Sequence, residues 1–324
     1  MRSLGWAVDS REVIFVSRLV AVCIVTHDNK DVIGPALDAI AAQAGVDLEI
    51  HVWDNASRDG TREEIARRPA AILHSSEYNL GFCAANNRLI AATETPLILF
   101  LNPDTQLQPE GLARLVAALS PAPADVAGVG PKLLWFDQVD GAALIDSAGM
   151  RLSKDDLSPH DRGQGEIDRG QYDEPAEYFG PSFACALMRR EAMAALAVEN
   201  QLLDERFFAY YEDVDLAWRA QRLGWKFLYE PRAVCRHRRG QPQQHGVTLA
   251  ARAFINRYLM LIANEDGRNG LEYLWRLLPR ELARLIWKSI RIRGFAIAWR
   301  MLRDDWRYAW QKRRRLTALA GSRR

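Results

Sequence analysis

The feature that most constrains this chain is a repeated alternation near its start. Leu19-Val-Ala-Val-Cys-Ile-Val25 is an unbroken apolar run rich in β-branched residues. Such a run suits a strand buried on both faces of a parallel sheet. A helical pattern follows through Val32, Leu37, Ile40 and Ala41. Leu48 to Trp53 reads as a second strand and Thr61 to Arg68 as a helix. Ala71 to His74 reads as a third strand, Gly81 to Ala92 as a helix, and Pro96 to Leu101 as a fourth strand. Strand and helix alternating over short connections predict βαβ units, hence an α/β fold with a mostly parallel sheet flanked by helices. Ligands of such sheets bind beyond the carboxyl ends of the strands. Three of the four strand ends carry polar clusters: Thr26-His-Asp-Asn29, Asp54-Asn55 and Asn102-Pro-Asp-Thr105.

The remainder is less regular. Residues 121 to 180 hold Pro121, Pro123 and several glycines, and Asp155 to Glu177 reads as a polar, ordered but mobile loop. Glu191 to Ala197 and Val214 to Leu223 have helical patterns, and Lys226 to Tyr229 reads as a short strand. A basic, Gln-rich connector follows His237, and the chain from Thr248 is helical by periodicity. The expected organisation is an N-terminal extension (1–18), a catalytic domain (19–247) and a basic, amphipathic helical region (248–324).

Composition bounds the class. The chain has 324 residues, 48% of them hydrophobic, which is too apolar for disorder. The net charge of +2 gives no overall affinity for polyanions, and no nucleic acid partner is expected. No stretch reaches the roughly 18 apolar residues of a membrane span, and no signal peptide pattern opens the chain. Cys23, Cys83, Cys185 and Cys235 form no C-x-x-C pair, so buried free thiols and a cytoplasmic location are expected.

Four segments could carry chemistry. Asn102-Pro-Asp104 ends an apolar strand, where a carboxylate could hold a hard cation against a diphosphate; the same tripeptide is also an ordinary turn. In Phe207-Phe-Ala-Tyr-Tyr-Glu-Asp-Val-Asp215, the acids Glu212, Asp213 and Asp215 follow an aromatic run. Acids at a helix start complement its dipole, but aromatic neighbours could also shield a working base. His237 ends a predicted strand region, where a metal or phosphate contact competes with a structural role. Tyr78-Asn-Leu-Gly-Phe-Cys-Ala-Ala-Asn-Asn-Arg88 combines Gly81, which allows close backbone approach, with a helix start that could face an anion.

Taken in order, these segments resemble family-2 inverting glycosyltransferases of the GT-A fold, and most closely their rhamnosyltransferase-like subset. The matching blocks are Val20 to Asn29, Val52 to Thr61, Asn79 to Phe82 with Asn86-Asn87, Leu99 to Asp104, Leu203 to Phe208, Glu212 to Leu216, and Pro231 to Ala233 with His237. They span roughly residues 19 to 265. The resemblance implies a nucleotide-diphosphate sugar donor, with Thr26, Asp54, Asn55, Gly81, Asn87, Asn102 and Asp104 on the donor. Asn102-Pro-Asp104 stands where the family has D-x-D, so Asp104, with His237, would bind Mn2+ or Mg2+. Asp213 would be the general base, with Glu212 and Asp215 orienting it or holding its helix. The acceptor would be a hydroxyl of a glycan or lipid-linked glycan. Gly180-Pro-Ser-Phe-Ala-Cys185 departs from the family's Gly-Ala pair in the acceptor region, so acceptor identity does not transfer.

Two rival α/β enzymes are disfavoured. Thr26 to Gly34 lacks the G-x-G-x-x-G of a nicotinamide enzyme, and lacks the Gly-rich basic loop of a nucleotidyltransferase. A catalytically inactive sugar-nucleotide-binding protein of the same fold is the remaining alternative.

From Trp275 to Arg324 there are fifteen Lys or Arg against Glu281, Asp304 and Asp305, together with five Trp. Apolar residues recur at helical spacing through Leu274, Leu278, Leu282, Leu285, Ile286, Phe295, Ala298, Trp299, Leu302, Trp306 and Trp310. The pattern predicts helices lying on an anionic membrane surface, at the inner face of the plasma membrane. Packing on the catalytic domain or on a second subunit of a homodimer is the competing expectation.

Overall fold

The computed structural model describes residues 19–139, 141–153, 155–239, 247–265, 279–281, 283–284, 286 and 295–322. The expected extension 1–18 lies outside the described residues, as do Leu274, Leu278, Leu282 and Leu285.

The chain opens with β1 (Leu19–Thr26), α1 (Lys30–Ala41), β2 (Asp47–Asp54), α2 (Thr61–Ala66), β3 (Ala71–Ser75), α3 (Gly81–Ala91) and β4 (Leu97–Leu101). Then come β5 (Thr105–Leu107), α4 (Gly111–Leu119), β6 (Val126–Val139), β7 (Ala142–Ser147), β8 (Met150–Leu152), β9 (Pro159–Asp161) and β10 (Ala176–Tyr178). The remaining elements are β11 (Cys185–Arg189), α5 (Arg190–Leu196), a 3-10 turn at Glu205–Phe207, α6 (Glu212–Arg222), β12 (Lys226–His237), α7 (Val247–Asn264) and α8 (Phe295–Ser322).

One large sheet runs in the order β10-β12-β6-β11-β4-β1-β2-β3, with β5 on β12 and β7 on β6. β3, β2, β1 and β4 are parallel. β11 enters antiparallel between β4 and β6, and β6 and β12 run parallel to each other. Val20, Val22 and Ile24 face one core cluster, with Ile33, Leu37 and Ile40 of α1, while Ala21, Cys23 and Val25 face the other. Burial on both faces is why β1 reads as a continuous apolar run rather than an alternating one. All four cysteines are buried and free, and among the described residues no helix is long and apolar enough to cross a membrane.

The structure corrects the reading of residues 121–180. β6 is the longest strand, yet Gly128, Gly130 and Pro131 disguise it. The glycines serve close packing: a Cβ on Gly128 would lie 2.5 Å from the Leu187 carbonyl oxygen, and one on Gly130 would lie 2.5 Å from the Tyr178 hydroxyl. Pro131 sits at the register shift between β6 and β12. β12 likewise continues past Tyr229 to His237, with Pro231 inside that same irregularity. Residues 155–177, expected to be an ordered but mobile loop, carry β9 and β10 and are hydrogen-bonded to the β7 region. The Ile145 N–H donates to the Glu166 carbonyl and the Ile145 carbonyl accepts from the Gly165 N–H (2.9 Å each), and Lys132 pairs with Asp168 and Asp173.

The tail divides its basic residues. α8 packs on α7, and Lys312 is not on an outward basic face: it is 2% exposed and pairs with Asp204 (2.8 Å) and Asp215 (2.9 Å). Arg206 and Arg252 both reach Asp305, and Arg315 pairs with Glu199. Trp299, Trp306, Trp310, Arg300, Arg303 and Arg307 remain exposed.

Candidate active site

A cleft of about 1320 Å³ opens at the carboxyl ends of β1 and β4. One wall carries Thr26, His27, Asp28, Asn29, Asn55 and Gly81. The loops after β1 and β2 are laced together: Asp28 accepts from the Arg58 backbone N–H (2.7 Å), its own N–H donates to Ser57 Oγ (2.9 Å), and His27 Nδ1 meets the Asn55 carbonyl (2.7 Å). Asp54 pairs in register with Thr26 but is fully buried behind this wall. Arg62 Nε (2.5 Å) and the Ser57 N–H (3.1 Å) occupy its Oδ2, while Oδ1 has no partner within the chain.

Across the cleft floor, Asn102-Pro-Asp104 is a turn, and the turn presents the acid. The Asn102 carbonyl accepts from the Thr105 N–H (3.3 Å) and hydroxyl (2.7 Å), leaving the Asp104 carboxylate beside His237. His237 Nε2 lies 3.4 Å from Asp104 Oδ1, and Nδ1 lies 2.7 Å from Asp146 Oδ2. Asp146 is itself held by Trp135 Nε1 (2.8 Å) and Arg239 (3.2 Å). Burial works against charge on His237, but the hydrogen bonds to Asp104 and Asp146 outweigh it and push its pKa up to about 10. Against the cost of its burial, the hydrogen bond and charge of His237, with Arg239 and Trp135, hold Asp146 below the usual carboxylate range.

The opposite wall is the loop before α6 and the first turn of that helix. Phe208 and Tyr210 line the cleft, whereas Phe207 is buried in the core, so the aromatic run does not act as one platform. Glu212 and Asp213 also line it. Withdrawal from solvent raises both carboxyl pKa values, and the Asp213 charge raises Glu212 further. The Val214 N–H donates to Asp213 Oδ1 (2.8 Å), which offsets part of that rise. Gly81 closes this wall against the other: at φ +83°, its missing Cβ would lie 2.5 Å from the Phe208 ring.

The structure therefore gathers Thr26, Asn55, Gly81, Asn102, Asp104, Glu212, Asp213 and His237 around one cleft. Asn87 is not among them. Its amide is committed to the Leu203 backbone in both directions (2.8 and 3.0 Å) and to Glu205 (3.1 Å), tying α3 to that segment. Asp215 points into the interior, toward Lys312, Arg219 and Asn264. Cleft residues with no clear sequence signal include Trp135 and Phe136, whereas Ser182 and Phe183 belong to the segment that the resemblance assigns to the acceptor region. Arg238 and Arg239 also line it; the basic run after His237 was a usable hint. Among the described residues, no three His, Cys, Asp or Glu side chains form a complete metal cage. Asp104 and His237 converge at the cleft, and Asp146 fixes the His237 ring so that Nε2 faces Asp104; once its proton is displaced, Nε2 could serve as a ligand in the way a carboxylate-backed histidine does. The residues present thus fit a divalent cation that draws its other ligands from a diphosphate and water.

Comparison with known proteins agrees with this geometry. The chain is 29% identical over 230 residues to N-acetylglucosaminyl-diphospho-decaprenol L-rhamnosyltransferase of Mycobacterium tuberculosis, covering 63% of this chain and 72% of that protein. Its structure resembles GalNAc-T7 solved with UDP, GalNAc and Mn2+, with a TM-score of 0.55 and 12% identity over 78% of this chain. It spans about half (52%) of the GalNAc-T7 chain. It also resembles the mannosyltransferase PcManGT of Pyrobaculum calidifontis, solved with GDP-Man and Mn2+, with a TM-score of 0.50 and 16% identity over 94% of this chain and 86% of that one. At these identities the two structures establish the fold, which is that of GT-A glycosyltransferases. The sequence model described as glycosyl transferase family 2 matches residues 21–196, more than half of the chain, and the chain belongs to that family.

Proposed function

We propose that this protein transfers a sugar, L-rhamnose or a related deoxyhexose, from a nucleotide diphosphate to a hydroxyl of a lipid-linked glycan. The transfer is one displacement that inverts the anomeric carbon. The observation that carries the reading is the pairing, across one cleft, of Asp104–His237 with Asp213, a carboxylate whose pKa is raised by desolvation. A donor site and a base on opposite walls are what in-line displacement needs. The rhamnosyl and lipid-linked parts rest on the mycobacterial relative's name.

Thr26 and Asn55 bind the nucleoside side of the donor, and Asp54, buried behind them, braces that wall through Arg62 and the Ser57 N–H. Gly81 and Asn102 shape the donor wall. Asp104 and His237, once His237 has given up its proton, would hold Mn2+ or Mg2+, and Arg238 of the cleft lining would meet the diphosphate. When bound, the cation neutralises the charge that develops on the departing nucleotide diphosphate. Asp213 accepts the proton of the acceptor hydroxyl as its oxygen attacks the anomeric carbon, and desolvation makes it the stronger base. Glu212 stays protonated beside it, so the pair does not carry two adjacent charges.

The exposed Trp299, Trp306 and Trp310, beside Arg300, Arg303 and Arg307, support peripheral attachment to an anionic membrane. Attachment would confine enzyme and lipid-linked acceptor to one plane.

The test is a panel of nucleotide sugars, dTDP-L-rhamnose included, offered with manganese and an N-acetylglucosaminyl-diphospho-polyprenol. The expected product carries one added sugar of inverted anomeric configuration. Tight donor binding without turnover on any acceptor would instead favour a non-catalytic sugar-nucleotide-binding protein.

A further inference from the structure

We infer that the C-terminal helices α7 and α8 position the catalytic carboxylate, acting through Asn256 and Lys312 on the loop 205–211; this rests on Asp213 being the base. Three residues just before Asp213 have backbone that side-chain-bearing residues rarely adopt: Phe208 (φ 63°), Tyr210 (φ 73°) and Tyr211 (φ 70°). Such backbone persists only where the surroundings over-determine it.

The restraint comes mostly from the tail. Asn256 of α7 is fully buried, and its Nδ2 donates to the carbonyls of Phe207 (2.8 Å), Ala209 (2.9 Å) and Tyr210 (2.8 Å). Two N–H bonds serve three carbonyls, so one is shared. Lys312 of α8 brackets the same loop: its ammonium joins Asp204, just before the turn, to Asp215, just after Asp213. Asn264 Nδ2 adds a bond to the other oxygen of Asp215 (2.7 Å). From the opposite side, the Cys83 N–H donates to the Phe208 carbonyl (3.1 Å), and Gly81 leaves room for the Phe208 ring. Asn256, Asn264 and Lys312 do not line the cleft. They act through the loop, and all lie beyond the family match at residues 21–196.

Asn256→Ala in the full chain removes the triple donor while keeping a good helix former. With the best donor and acceptor of the panel, kcat should fall at least 10-fold while donor affinity in manganese stays within about 2-fold, measured well below the melting temperature. Lys312→Met should behave likewise, and Lys312→Arg should recover most of the turnover. Amide exchange at 208–214 should rise in Asn256→Ala while β1 to β4 keep their protection. Unchanged kcat in folded Asn256→Ala, or donor affinity falling in parallel with kcat, would overturn the inference. If neither variant folds, exchange in the unaltered protein decides. Residues 208–214 opening together with α7 and α8 supports it, and their opening while the hairpin stays closed defeats it. Full turnover by Asp213→Asn would defeat the base assignment alone, since exchange at 208–214 reports on the restraint independently.

Discussion

The two walls of the cleft are built by different means. The donor wall stands at the ends of β1, β2 and β4, and its loops are tied by contacts within the first βαβ units, Asp28 with Arg58 and His27 with Asn55. The base wall is a loop with positive-φ residues, most of whose restraints come from positions 256, 264 and 312, far along the chain. One wall follows from strand order. The other depends on an appended hairpin, so damage to the tail should reach the chemistry before it reaches donor binding.

The largest effect that would break this contrast is on the donor side. Asp104→Ala should abolish manganese-dependent donor binding and lower turnover by more than about 100-fold; titration calorimetry reads the first. Unchanged affinity would remove the cation from the Asp104–His237 pair.

Next comes Lys312→Met. Removing one partner from a buried ion network leaves Asp204 without its cation and Asp215 with only Arg219 and Asn264, at a cost of about 3–5 kcal/mol. Urea unfolding checks this, and a cost under about 1 kcal/mol, the scale of an exposed pair, would mean the hairpin is loosely attached.

Gly81→Ala should destabilise by about 1–3 kcal/mol, because φ +83° is strained for alanine and the new methyl meets Phe208. Turnover should suffer more than donor affinity, since the displaced ring belongs to the base wall.

Smaller still is a pH effect. The folded pKa of Glu212 is raised above its unfolded value, so its contribution to stability is complete below the unfolded pKa. That contribution is lost as pH rises through the folded pKa. Glu212→Gln should therefore gain stability relative to the parent as pH rises, and thermal melts from pH 4 to 9 will show whether the gap widens. Asp215 has the opposite sign: its pKa is lowered by Lys312 and Arg219 despite burial, so its contribution is lost as pH falls.

The smallest expected change concerns the membrane. Trp306→Ala with Arg303→Ala should weaken co-sedimentation with anionic liposomes at low salt while leaving the melting temperature nearly unchanged. Truncation after about residue 270 cannot isolate that contribution, because it also removes Lys312 from Asp204 and Asp215.

This contrast also explains what could be read in the sequence. β1 to β4 and their helices follow from apolar runs and helical spacing, and Thr26, Asn55 and Asp104 follow from strand ends. β6 was hidden because Gly128 and Gly130 are there for close approach to β11 and Tyr178, which no local pattern reveals. The resemblance places Asn87 on the donor, yet a backbone segment over a hundred residues away takes its amide. Asp146 acts on His237 across 91 residues and Asn256 on the loop before Asp213 across 46 to 49, and only tertiary structure brings them there.

The most direct test of the account is Asp213→Asn, with donor affinity and transfer rate measured on one preparation in manganese. The substitution keeps shape and removes the base, so donor affinity should hold within about 2-fold while transfer falls about 10²-fold or more. Transfer near the parental rate, or loss of donor binding in step with activity, would contradict the separation of donor and base walls.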